Sequence, residues 1–193
     1  MQKWKNNKWV EFSSPVTLTF TLLALGATLL GMLTGGASTR LLFSVYKSPM
    51  ASLFFWPRLF LHVLGHADLA HFAGNASLLL VLGPIVEKHY GGKRLISMMA
   101  LTALITAVFQ LLMLPHVATL GASGIVFMLI LLSAASGGSS QKIPLTLILV
   151  AVIYLGKEIY GMVFLNDNIS QLSHIVGGLC GIGLGLYYNK NLR

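Results

Sequence analysis

Six long apolar stretches, at about residues 16–34, 69–86, 95–114, 121–136, 143–164 and 171–188, run through this chain. Most approach the roughly 20 residues that an α-helix needs to cross a hydrocarbon core of about 30 Å. Within a bilayer each backbone N–H and C=O has to be satisfied inside the segment, which restricts such runs to helix. The expected fold class is therefore all-α: a polytopic membrane helix bundle of six transmembrane helices. Only 9% of the residues are charged and 55% are hydrophobic, a balance foreign to a water-soluble domain of 193 residues. No fixed-period repeat interrupts the pattern. Residues 1–193 are read as a single transmembrane domain, with a short N-terminal segment, 1–15, in the cytoplasm.

The net charge of +8 is a statement about orientation. Basic residues sit in small clusters beside the apolar runs, with no stripe interleaved with aromatics, so nucleic acid is not an expected partner. With the N-terminus inside, Lys3, Lys5, Lys8, Lys88, Lys93, Arg94, Lys142, Lys190 and Arg193 all face the cytoplasm, against Arg40, Lys47 and Arg58 outside. Both termini are then expected inside, as an even number of spans requires, with the protein in a bacterial plasma membrane. The basic start and the small residues before Ala37 imitate a signal peptide, but Val16–Leu33 is long enough to span and reads as a retained helix. The long connection 35–66, with Pro49, Trp56 and Pro57, is expected to lie partly in the membrane interface. Cys180 stands alone, so no intramolecular disulfide is possible.

The fourth stretch is short. About 16 residues give roughly 24 Å of helix, too little for the full hydrocarbon core, so one end must stop inside the bundle. That end carries Gly121-Ala122-Ser123-Gly124, a hydroxyl between residues with almost no side chain. Glycine lets another backbone approach, and a helix start offers unpaired N–H groups able to hold an oxyanion. On its own the motif also fits plain helix packing by small residues.

His174 sharpens the reading. Ionisable groups within spans usually face the bundle interior or a wet cavity. Gly177, Gly181 and Gly185 follow it on one helix face, a small-residue stripe that lets the sixth span come very close to a neighbour. If that neighbour is the fourth span, His174 reaches Ser123 and can take its proton, and Phe127, one turn on, packs against the imidazole. A histidine bonded to a backbone carbonyl at a helix contact is the structural alternative. In the second span His71 and Asn75 share a face, both able to donate into a cavity. His66 and His71 are five residues apart and do not share a face, so the helix is expected to begin between them with Asp68 as its N-cap. His62 and His66 have metal-ligand spacing, but no adjacent glutamate or further ligand completes a zinc site, and no metal or other cofactor is expected.

Taken together, His66-x4-His71-x3-Asn75, Glu87-Lys88, Gly121-Ala122-Ser123-Gly124 and Ser173-His174-Ile175-Val176-Gly177-Gly178 with Gly181 resemble the rhomboid family of intramembrane serine proteases. The resemblance runs from about Arg58 to Tyr188. It implies a Ser123–His174 dyad, an oxyanion hole from His71, Asn75 and the Ser123 backbone N–H, and a structural His66, with no metal and no third catalytic acid. Its expected partners are transmembrane protein substrates and the lipid bilayer. Three features depart from the pattern: Pro57 separates Trp56 from Arg58, Phe127 replaces the usual tyrosine, and Lys157-Glu158 puts two charges in the fifth span. Two other classes share parts of this sequence. A catalytically silent rhomboid-like protein would bind membrane clients, and a small transporter would line Lys157, Glu158 and the histidines along a polar path. Asp167 is an outside candidate for orienting the histidine.

Overall fold

The computed structural model of the chain describes residues 13–136, 143, 145–164 and 168–190, without the side chains of 154, 157–159, 161–164 and 168–170. The N-terminal lysines, Lys142, Arg193 and Asp167, and the side chains of Lys157 and Glu158, therefore lie outside the described residues. What is described is helical: α1 (Pro15–Leu33), α2 (Ala37–Leu42), α3 (Phe55–Leu61), α4 (Leu69–Tyr90), α5 (Gly92–Met113), α6 (Ser123–Ala135), α7 (Leu145–Phe164) and α8 (Asn168–Lys190). Three of these, α1, α4 and α5, are long and apolar enough to cross a membrane by length and composition. The all-helical membrane fold class read from the sequence is thus found, with three clear spans.

Helix α1 opens with Pro15, whose fixed φ suits a first turn and whose missing N–H would have been unpaired there. Its remaining first-turn donors are met from far along the chain. The buried Glu87 carboxylate accepts from Val16 N at 3.0 Å, Thr17 N at 2.9 Å and Thr17 Oγ1 at 2.8 Å. A negative charge against a helix N-terminus is favourable, and here it ties α1 to the end of α4. Helix α4 itself starts at the expected cap, with Asp68 Oδ1 accepting from His71 N at 2.7 Å.

Helix α6 is shorter than expected, 13 residues beginning at Ser123 itself. It is the hub of the bundle. Ile125, Val126 and Met128 through Leu132 are all buried in one core with Leu79, Val86, Leu95 and Met98 from α4 and α5. Its tightest partner is α8. A Cβ placed on Gly177 would collide with the Gly124 carbonyl, and one on Gly181 with the Met128 carbonyl. The small-residue stripe of α8 therefore brings two backbones into direct contact, as van der Waals packing without a hydrophobic driving force demands.

The connection 35–66 is folded: it carries α2, α3 and one turn of 3-10 helix at His62–Leu64. Phe55 and Leu59 pack on Ala107 of α5, while Met50, Leu53, Trp56 and Phe60 stay exposed, as suits an interfacial segment. Arg58 is buried; its Nε donates to the Leu41 carbonyl at 3.0 Å, and its guanidinium lies 4.4 Å over the Tyr46 ring. Backbone bonds between Val45 and Thr119, at 2.9 and 3.0 Å, stitch this segment to the loop that leads into α6.

Candidate active site

Three histidines decide how the chain enters α6. His62 Nδ1 lies 3.1 Å from the Arg58 carbonyl, which can only accept, so Nδ1 carries the proton. The backbone carbonyl of His62 in turn accepts from Gly121 N at 3.0 Å. His66 Nδ1 lies 3.2 Å from the Leu64 carbonyl, leaving Nε2 to accept from Ala122 N at 3.4 Å. His66 is thus structural: its imidazole holds the residue before Ser123. Burial pushes both groups down to about 4, with the neighbouring His71 adding to the effect on His66, so both are neutral and these tautomers persist near neutral pH.

Gly121 has a φ of +126°, a region that side-chain-bearing residues rarely adopt. Space imposes the same choice. A Cβ there would sit 3.1 Å from His71 Nε2 and 3.9 Å from Ser123 Oγ, so imidazole and hydroxyl flank one small volume. The next residue, Ala122, caps α6, and Ser123 is its first residue. First-turn N–H groups have no partner within a helix, so this backbone presents donors beside the hydroxyl.

Ser123, His174, His71 and Asn75 line one cavity of about 590 Å³, together with Phe127 and Ser173. They arrive from α6, α8 and α4. Phe127 stacks on His174, ring centroids 4.3 Å apart and planes 7° from parallel, as the one-turn spacing suggested. The Gly124–Gly177 contact fixes the two helices beside this pair. Asn75 is buried and its Nδ2 has no hydrogen-bond partner among the described residues. A buried amide donor left unpaired costs free energy, so its place on the cavity wall invites an acceptor. All four expected groups are therefore brought together, and His62 and His66 are directed elsewhere. Among the described residues no three His, Cys, Asp or Glu side chains are grouped to hold a metal ion.

Several contributors escaped the sequence reading. Thr102, Thr106 and Gln110 are buried on one face of α5. Thr106 Oγ1 meets His62 Nε2 at 3.4 Å, and Gln110 Nε2 donates to the Leu114 carbonyl at 3.2 Å, steadying the histidine and the loop before Ser123. Their spacing of four within an apolar span is a legible polar stripe. Glu87 also went unassigned, although a carboxylate closing an apolar run calls for donors.

The fold and this cavity define an all-helical membrane protein with a serine at a helix start, in a cavity that His71 and His174 also line. A family model, described as the rhomboid domain, matches residues 54–191, and the chain belongs to the rhomboid family. It is similar to the protein named "Putative rhomboid protease YdcA" of Bacillus subtilis (strain 168), with 30% identity over 138 residues, 65% of this chain and 63% of that protein. The match thus spans somewhat less than two thirds of that relative's length.

Proposed function

We propose that the chain is an intramembrane serine endopeptidase that cleaves transmembrane segments of membrane proteins. The observation that carries this reading is the single cavity lined by Ser123, His174, His71 and Asn75 from three helices. Ser123 Oγ attacks the scissile carbonyl carbon while His174 takes its proton. The negative oxygen that forms is held by the Ser123 N–H, the Asn75 amide and the His71 imidazole. Collapse returns the proton from His174 to the leaving amine and leaves an acyl ester on Ser123. Water, deprotonated by the same histidine, then attacks the ester carbon; the Ser123 oxygen leaves, takes that proton back from His174, and the new carboxylate is released. No third, acidic catalytic residue and no metal is required by these steps.

The same reading has six spans, with both termini cytoplasmic and a bacterial plasma membrane as the setting. Helix α6, 13 residues long, measures about 20 Å, so its serine end is buried below the outer surface when its other end reaches the inner one. A hydrophobic substrate segment meets the hydroxyl there while water enters through the cavity. The test is cleavage of a single-span reporter protein in liposomes by the purified protein. Cleavage by the wild type and none by Ser123→Ala or His174→Ala supports the assignment. Equal cleavage by either variant removes it, and client binding without any cleavage favours a silent rhomboid-like protein.

A further inference from the structure

A second chamber, of about 520 Å³, adjoins the cavity of Ser123 and shares Ala67, Ala118 and Leu120 with it. Its walls carry Arg40 from α2 and His116 from the loop before α6, with His66 and the hydroxyl-bearing Ser44 and Tyr46 also in the lining. Two carboxylate side chains are described in the structure. Asp68 caps α4, and Glu87 caps α1; neither lines this chamber. Arg40 accordingly has no acidic partner among the described residues, in contrast to Arg58, whose donors are used on Leu41 and Ser48. An exposed guanidinium and an exposed imidazole on the wall of this chamber, with hydroxyl side chains in its lining and no carboxylate there among the described residues, match an anionic side chain. Arginine is especially suited to gripping a carboxylate through two parallel hydrogen bonds.

We propose that this chamber is a substrate subsite for an acidic side chain, Asp or Glu, on the extramembrane flank of the cleaved segment, with Arg40 as its principal contact. The inference rests on the protease reading above and deepens it. The shared walls favour a substrate group over a lipid headgroup, because a chain bound across Ser123 passes directly beside the opening. Charge on the flank then sets register: the acid anchored at Arg40 fixes which peptide bond lies over the serine.

The experiment uses single-span peptides in liposomes, identical except for one Asp walked along the residues outside the span. At the best position, Asp, Asn and Lys peptides are compared for the wild type, Arg40→Gln, Arg40→Glu and His116→Asn, with phosphonate labelling of Ser123 reporting an intact site in each. The wild type is expected to prefer Asp over Asn by about ten-fold in kcat/KM, the scale of one hydrogen bond to a charged group. That ratio falls to about one in Arg40→Gln, and Arg40→Glu turns the preference toward Lys. A wild type that treats Asp and Asn alike at every position overturns the subsite, and this arm needs no variant to fold. A preference that survives in Arg40→Gln also overturns it. If Arg40→Gln matters only in liposomes containing phosphatidylglycerol, the chamber holds a lipid headgroup and the substrate assignment is wrong. A wild type that labels with phosphonate but ignores the acid loses the subsite alone; one that neither labels nor cleaves any peptide loses the protease reading as well.

Discussion

The Phe127 ring lies flat against the His174 imidazole, 4.3 Å between centroids and 7° from parallel. A flat neighbour restricts rotation of the imidazole and so fixes where its nitrogens point. On the proposed mechanism Phe127 positions the base and has no proton of its own to offer. Phe127→Tyr keeps the ring and is expected to retain turnover, whereas Phe127→Ala lowers kcat by about 100-fold, the cost of roughly 1 Å of misplacement. Because the ring touches the imidazole and not the scissile bond, KM should change little in Phe127→Ala. An unchanged kcat with only a lower melting temperature would make the ring a packing group.

Asn75→Ala and His71→Ala should act on turnover. On the proposed mechanism their donors act on charge that develops only in the transition state, so each loss is expected to cost kcat about 100- to 1,000-fold with KM little changed. Steady-state kinetics in detergent with a soluble reporter peptide separate the two constants. A rise in KM at constant kcat would make these groups substrate-binding residues.

Gly177 and Gly181 carry the contact between α8 and α6. A methyl on either meets backbone carbonyl, not a side chain that can move aside, so Gly→Ala is already disruptive and Gly→Val more so. Forced separation of packed helices typically costs about 1–3 kcal/mol. Melting temperature and turnover are expected to fall together in both variants. Unchanged values for Gly181→Ala would contradict the observed close approach.

Stability should depend on acid through His62 and His66. Both are pushed down to about 4 in the folded protein, chiefly by burial, while the unfolded chain protonates near 6.5. Between those values the unfolded state binds more protons, so stability is full above pH 6.5 and is lost as the pH falls toward 4. The slope is on the order of 1 kcal/mol per pH unit for each histidine. Melting curves from pH 7.5 to 4.5 should show that fall, with a shallower slope in His62→Asn. A melting temperature that holds steady or rises on acidification would show that these groups are not buried as neutral imidazoles.

Much of this arrangement is visible in the chain itself. The apolar runs gave helix bounds within a few residues, because a bilayer leaves a span one way to satisfy its backbone. Asp68 was legible as a cap, and the pairing of α6 with α8 followed from the glycine stripe after His174. The length of α6 was overestimated: Gly121 and Ala122 are apolar in composition but lie outside the helix, with Gly121 at positive φ and held by His62. The histidines of the first loop were harder. His66 reaches Ala122 across 56 positions and Glu87 reaches Thr17 across 70, contacts that no local pattern encodes. Helices α2 and α3 have only 6 and 7 residues, too few to show a period, and the bond from Arg58 to the Leu41 carbonyl ties them together.

The central claim is that Ser123 is a nucleophile activated by His174. The most direct test is reaction of the purified protein with a serine-directed fluorophosphonate, with the adduct located by peptide mass spectrometry. The expected result is one adduct, on Ser123, lost in Ser123→Ala and strongly reduced in His174→Ala, in protein whose melting temperature shows it folded. A folded wild-type protein that remains unlabelled at Ser123, or labelling undiminished in His174→Ala, would contradict the account.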